Sequence, residues 1–153
     1  MPFIEWSEEY EIGIESIDEE HERLVELLNA LYDAMRAGGG REEIGSIIAE
    51  LEEYVEYHFA SETHLARGCG FSVDCADCHR THQEAHESFA DQVTELRELY
   101  EAGDAAIHMK TLRFLREWTT EHIGKMDQQL GLYVHNEVDP SELEPVELDA
   151  SLE

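Results

Sequence analysis

The chain has 153 residues with 42% hydrophobic content, enough for one globular domain with its own core. A formal charge of −27, with lysine only at Lys110 and Lys125, excludes a phosphate-neutralising nucleic-acid binder and implies an acidic solvated surface. No apolar run is long enough for a membrane span, and the start Met-Pro-Phe-Ile-Glu-Trp lacks the regions of a signal peptide, so a cytoplasmic protein without membrane contact is expected.

Residues 1–17 read as an extended arm, because Pro2, Gly13 and the alternating Ile12 and Ile14 disfavour helix. Trp6 is expected to pack back onto the domain. Ser16-Ile17-Asp18-Glu19 has the capping-box pattern and opens a first helix with an apolar face of Leu24, Leu27, Leu28, Leu31 and Met35. Gly38-Gly39-Gly40 ends it. A second helix spans about Glu42 to Arg67 on the stripe Ile44, Ile47, Ile48, Leu51, Val55, Phe59 and Leu65. Residues 68–78, with two glycines and three cysteines, read as a loop. A third helix spans about His79 to Glu101, carrying Phe89, Val93 and Leu96, and ends at Gly103. Asp104 is placed to cap a fourth helix, which carries Leu112, Leu115, Trp118 and Met126 and ends near Tyr133. Four amphipathic helices with short connections predict an all-α, up-down-up-down four-helix bundle over residues 1–133. Residues 134–153, rich in acids and holding two prolines, read as a loosely ordered tail.

Each apolar stripe is interrupted by residues that bind metals. His58 and Glu62, four apart, continue the second helix's stripe. His82 and His86 interrupt the third, His122 the fourth, and His21 sits on the face of the first. Buried imidazoles and carboxylates are costly unless they are paired or hold an ion, and converging inner faces are how a bundle builds a metal site. The candidate ligands are therefore His21, His58, Glu62, His82, His86, His122 and Asp127. His122 and Asp127 are five apart, out of phase on an ideal helix. Either a π-type widening near Gly124 realigns them, or Asp127 reaches the site from another height.

The cysteines offer a separate motif. Cys75-Ala-Asp-Cys78-His79 matches the c-type haem pattern, but attachment requires export and a haem would sit outside the bundle, so haem is not expected. Cys69, Cys75, Cys78 and His79 have the composition of a small zinc site, and the competing readings are redox sensing, free thiols or a reversible disulfide. The thiols are read as lying outside the ligand stripe.

These motifs resemble those of the bacterial hemerythrins, four-helix non-haem di-iron oxygen-binding proteins. The resemblance rests on Ile-Asp-Glu-Glu-His21, His58-Phe-Ala-Ser-Glu62, His82-Gln-Glu-Ala-His86 with Phe89, and Trp118 followed by His122-Ile123 and Asp127. It implies that His82, His86 and His122 hold one iron and His21 and His58 the other. It further implies that Glu62 and Asp127 bridge the pair together with an oxo or hydroxo group, and that O2 binds on the His21/His58 side. The donor set itself favours binding O2 over cleaving it, since five imidazoles and two carboxylates carry less anionic charge than the glutamate-rich sets of di-iron oxidases. Leu24, Phe59, Trp118 and Ile123 are placed to line an apolar O2 pocket. Thr119 stands where relatives commonly have Leu, and its hydroxyl either turns back to its own helix or admits water. The expected function is reversible O2 binding for storage, delivery or sensing. The alternative is a di-iron peroxidase or an NO- or iron-handling protein on the same scaffold. O2 is the expected partner, and no protein partner is legible.

Overall fold

Seven α- and π-helical segments, besides single 3-10 turns at Glu8–Tyr10 and Pro140–Glu142, follow one another in the computed structural model of the chain, which describes residues 2–38, 40–103 and 108–146, the His108 side chain excepted. They are α1 (Glu15–Arg36), α2 (Arg41–Gly68), the single turn α3 (Phe71–Asp74), α4 (Ala76–Glu101), α5 (His108–Glu121), a π-helical segment (His122–Asp127) and α6 (Gln128–Val134). The long helices α1, α2, α4 and the continuous α5–π–α6 rod form the four-helix bundle that their periodicity predicts. The Asp104 cap lies outside the described residues, as do residues 147–153.

The bundle is layered along its axis. At one end, Leu28, Leu31, Ile48, Leu51, Val93, Leu96, Leu112 and Leu115 form a dry core with almost no exposure. Arg41 closes this end, donating to the Glu101 carbonyl at 3.1 Å and stacking over Tyr100. In the middle, His21, His58, Glu62, His82, His86, His122 and Asp127 form a polar layer that is just as buried. Beyond it lies a second, smaller apolar cluster of Ala66, Phe71, Cys78, Leu130 and Leu143, against which Cys69, Cys75 and Tyr133 pack. The polar layer is thus shut between two hydrophobic blocks. Its position follows from antiparallel topology: ligand residues lie near the N-terminal ends of α1 and α4 and the C-terminal ends of α2 and α5, so all reach the same height.

The arm is strapped to the bundle. Asn29 accepts from the Ile4 N–H at 2.7 Å and donates to the Ile4 carbonyl at 2.9 Å. Phe3 stacks on Tyr32 at 4.2 Å, and the half-buried Trp6 packs against the main core, as expected for it. The arm runs so close to α6 that a Cβ on Gly131 would lie 2.7 Å from the Ile12 carbonyl oxygen, so only glycine fits there.

Three expectations are corrected. Ser16 is not a cap: α1 begins at Glu15, Ile14 stands at the N-cap with no side-chain cap bond, and Asp18 accepts instead from the N–H groups of Ile12 and Gly13, at 2.8 and 3.2 Å. Asp18 is taken up by the last residues of the arm, five and six positions back, and not by a capping box. The segment 68–78 is not all loop, because burying Phe71 folds α3 and starts α4 at Ala76. Residues 135–146, the described part of the tail, are held on the bundle: Leu143 is buried, Val138 and Val146 pack on the apolar clusters, and Gln129 clasps Glu144 through its backbone carbonyl and N–H, at 3.0 and 3.3 Å.

Candidate metal centre

All seven residues singled out for metal binding converge in the polar layer. Each histidine directs Nε2 inward. Glu62 divides its two oxygens between two groups: Oε1 lies 2.8 Å from His21 and 2.7 Å from His58, whereas Oε2 lies 3.1 Å from His82 and 3.0 Å from His86. Asp127 divides in the same sense, with Oδ2 3.1 Å from His21 and Oδ1 2.9 and 3.1 Å from His82 and His122. Two sets of donors close enough to share an ion result, Glu62 with His82, His86 and His122, and Glu62 with His21 and His58.

The π segment brings Asp127 into this layer. Residues five apart on an α-helix point about 140° away from each other, but the wider turn of a π-helix returns the fifth residue to nearly the same face. Of the two routes open for Asp127, the structure takes the widened turn.

These atoms suit a cation better than they suit one another. Asp127 Oδ1 and Oδ2 sit at hydrogen-bond distance from imidazole nitrogens, yet neither is aligned for a hydrogen bond. The His122 Nε2 lies 3.1 Å from the Nε2 atoms of both His82 and His86, an arrangement of lone pairs that is repulsive with nothing between them. Without a cation, protons must fill that role. Burial pulls the His21 and His82 imidazoles down, but Asp127 and Glu62 more than offset it and carry both up to about 10. His58 is likewise pulled down by burial but carried up to about 9 by Glu62 and Glu20. His86 goes the other way, pushed down to about 3 by burial. Burial pushes the Glu62 and Asp127 carboxyls up, but the surrounding imidazoles, His58 foremost for Glu62 and His122 for Asp127, hold both well below the usual carboxylate range.

The surroundings are asymmetric. His58 places Nδ1 2.9 Å from Glu20 Oε1, so a carboxylate orients this ring, whereas the Nδ1 atoms of His21, His86 and His122 are buried without hydrogen-bond partners. Glu20 was not singled out from the sequence, although its place directly before His21 in Ile-Asp-Glu-Glu-His was visible. Phe59 stacks on His86 at 3.9 Å, and Trp118 on His122 at 4.3 Å. Leu24, Ile123 and Thr119 are buried. The Thr119 hydroxyl donates to the Leu115 carbonyl at 2.7 Å, so it turns back to its own helix. A groove of about 860 Å³ between α2 and α4 reaches inward as far as Phe59 and His86.

The zinc reading of Cys69, Cys75, Cys78 and His79 does not survive. Cys75 and Cys78 are joined in a disulfide and Cys69 is free, so two of the required thiolates are missing, and among the described residues the donor groups able to hold an ion are those of the bundle. Nor is Cys78 outside the ligand stripe. It is buried and precedes His82 by one helical turn, giving Cys78, His82 and His86 at spacings of four on α4.

A helical bundle with such a layer of imidazoles and bridging-type carboxylates defines a non-haem metal-binding protein. Residues 12–132 match the hemerythrin HHE cation binding domain. The bacteriohemerythrin of Pseudomonas paraeruginosa is 34% identical over 83% of this chain and 78% of its own length. That of Methylococcus capsulatus is 30% identical over 86% and 96%, respectively. A wild-type hemerythrin crystal structure superposes with a TM-score of 0.75 at 28% identity, covering 86% of this chain and 98% of that one. The chain belongs to the hemerythrin family. None of its described helices is long and apolar enough to cross a membrane.

Proposed function

We propose that this chain binds O2 reversibly at a pair of iron ions, as an oxygen-binding protein and not an enzyme. The observation that carries the reading is the way Glu62 and Asp127 each turn one oxygen to the His21 side and one to the His82 side. Carboxylates so placed suit two ions, not one. In this reading His82, His86 and His122 hold one iron, His21 and His58 the other, and Glu62 and Asp127 span both. Imidazole and carboxylate donors suit iron chemically, and family membership selects it.

The iron pair, when bound, supplies the electrons that O2 takes up and returns. The protein's part is positional and electrostatic. Five imidazoles keep the ligand layer low in anionic charge. Glu20 fixes the tautomer of His58 by accepting from Nδ1–H, which leaves Nε2 free as a donor atom. Leu24, Phe59, Trp118 and Ile123 surround the layer with apolar surface that keeps water and stray protons out, and that exclusion favours release of O2 unchanged. The match to the hemerythrin HHE cation binding domain and the likeness to bacteriohemerythrins favour this reading over the peroxidase alternative.

The test is anaerobic loading with Fe(II), iron analysis, then admission and removal of air while the visible spectrum is recorded. Two irons per chain and an absorption change that reverses through repeated cycles are expected. Bleaching in a single cycle, with turnover of added peroxide and reductant, would replace this reading with the enzymatic one.

A further inference from the structure

The cysteine corner closes the ligand layer from one side. Cys78 is buried in the small apolar cluster with Phe71, Leu130 and Leu143, and its disulfide partner Cys75 is half-exposed at the N-cap of α4. That cluster joins three elements just beyond their ligands. Ala66 lies one turn past Glu62 on α2, Cys78 one turn before His82 on α4, and Leu130 three residues past Asp127. Phe71 meets Tyr133 edge-on at 5.5 Å, and the Tyr133 hydroxyl donates to the Asp74 carboxylate, tying α3 to α6. The Cys75–Cys78 bond spans the junction of α3 and α4 and holds this lid in register with the first turn of α4.

The same corner is built for sulfur exchange. Cys75 is half-exposed and Cys78 buried, so an incoming thiolate reaches Cys75 more readily. The Cys78 backbone N–H points at Cys75 Sγ at 3.1 Å, at the positive end of a 26-residue helix, where the Cys75 thiolate is stabilised when it is expelled in the second step. The flanking carboxylates are engaged elsewhere, Asp74 by Tyr133 and Asp77 by Arg80 at 3.1 Å.

We propose that Cys75–Cys78 is a thiol–disulfide exchange site for a dithiol reductant, and that its redox state sets how firmly the apolar lid closes the ligand layer. One thiolate of the dithiol attacks Cys75 Sγ, the Cys75–Cys78 bond breaks, and Cys78 leaves as a thiolate that takes up a proton. The second thiol of the reductant then attacks its own sulfur in the mixed disulfide and expels Cys75. Two electrons and two protons pass from the dithiol to the cysteine pair, and the reductant departs as its disulfide. Reduction frees the α3–α4 junction from its crosslink, and the first turn of α4, leading to His82, opens more readily.

The experiment compares the air-purified chain, the chain treated with dithiothreitol, and the double variant Cys75→Ser, Cys78→Ser. Alkylation followed by intact mass should count one reactive thiol before reduction, Cys69, and three after it, with Cys75 labelled before Cys78. In the metal-free chain, amide exchange in residues 69–82 should quicken by about tenfold on reduction, and the double variant should match the reduced form whether or not dithiothreitol is present. In the iron-loaded chain, loss of iron to a chelator should quicken by about fivefold in both reduced and double-variant forms. This last measurement alone rests on the iron reading: failure of the chain to take up iron would count against that reading and not against the lid, whereas release at the same rate from a loaded chain in both redox states would overturn the claim that the lid closes the ligand layer. Three reactive thiols in the chain even after treatment with a disulfide oxidant would overturn the proposal, as would amide exchange independent of redox state.

Discussion

The two halves of the bundle are built from the same four rods and are about equally buried, yet they do opposite things. Around Leu31, Leu51 and Leu96 the inward positions are aliphatic, and the half stabilises the fold by removing hydrocarbon from water. About three to four turns along, the inward positions are His21, Glu62, His82 and Asp127, and the half opposes folding until protons or a cation satisfy it. The contrast teaches that helical pattern specifies where a side chain goes, and its chemistry decides whether arrival there is favourable. One half holds the other in a costly arrangement.

Removing Glu62 should produce the largest effect. Because its oxygens face both histidine groups, Glu62→Ala should lose both irons, whereas His58→Ala should lose the His21/His58 iron first. Iron analysis distinguishes the two outcomes, and a Glu62→Ala protein retaining two tightly held irons would falsify the bridging role. The matching cut in the dry half is Leu51→Ala. Leu51 is fully buried, so its truncation should lower unfolding free energy by about 2–5 kcal/mol in denaturant titrations. The Fe(II) stoichiometry of the folded fraction should stay as in the parent.

The halves should also differ in their response to pH. In the metal-free chain His21, His58 and His82 are carried from the ordinary 6.5 to about 10, 9 and 10. A raised value stabilises the folded state fully below 6.5 and loses that contribution as pH climbs through 9 to 10. His86, pushed down to about 3, gives the opposite slope on the acid side, with stability falling as pH drops below 6.5 toward 3. The metal-free chain should therefore melt at its highest temperature near neutrality and lose Tm steadily toward pH 10. Iron loading should flatten the alkaline limb, because ligating imidazoles are already unprotonated at Nε2. An alkaline limb of equal steepness with and without iron would show that these imidazoles are not the ligands.

Much of this contrast was legible in the sequence. Helix positions and six of the seven polar residues could be read because each is a local pattern: apolar residues every three or four, then a histidine or acid where an apolar residue was due; Asp127, five from His122, reaches the layer only through the π turn. What escaped notice depends on contacts that no helical period reports. Asp18 looks like part of a capping box but turns back five and six residues to Gly13 and Ile12, and Leu143 looks lost among acids but joins the cluster of Phe71 and Leu130. Cys78 was the avoidable miss, since its spacing of four from His82 placed it on the ligand face.

Thr119→Leu should have the smallest effect and sharpens the boundary between the halves. The Thr119 hydroxyl is occupied by Leu115, so toward the ligand layer the side chain offers mainly less volume than a leucine. We expect the substitution to lengthen the lifetime of the O2-dependent absorption at unchanged iron content, by filling space that admits water. Equal or faster decay in the variant would rule out water entry at this position. Stability measurements should accompany it, because a larger side chain at a fully buried site costs about 1–3 kcal/mol if the space is absent.

The widened turn from His122 to Asp127 lets the fourth rod carry one residue more than ordinary helix would over the same arc. A Cβ added at Gly124 would meet nothing within 4 Å, so Gly124→Ala should be silent for iron content. Deleting Gly124 is a different kind of change. It removes the surplus residue that the π segment accommodates and lets ordinary helix run through, leaving the aspartate four residues after His122 and about 40° around from it. Gln128, which holds the Glu9 and Glu11 carbonyls, and Gly131, beneath Ile12, would then stay on nearly the same faces. Along this stretch the surplus residue is absorbed within one turn, and the helix beyond it keeps its register with the arm.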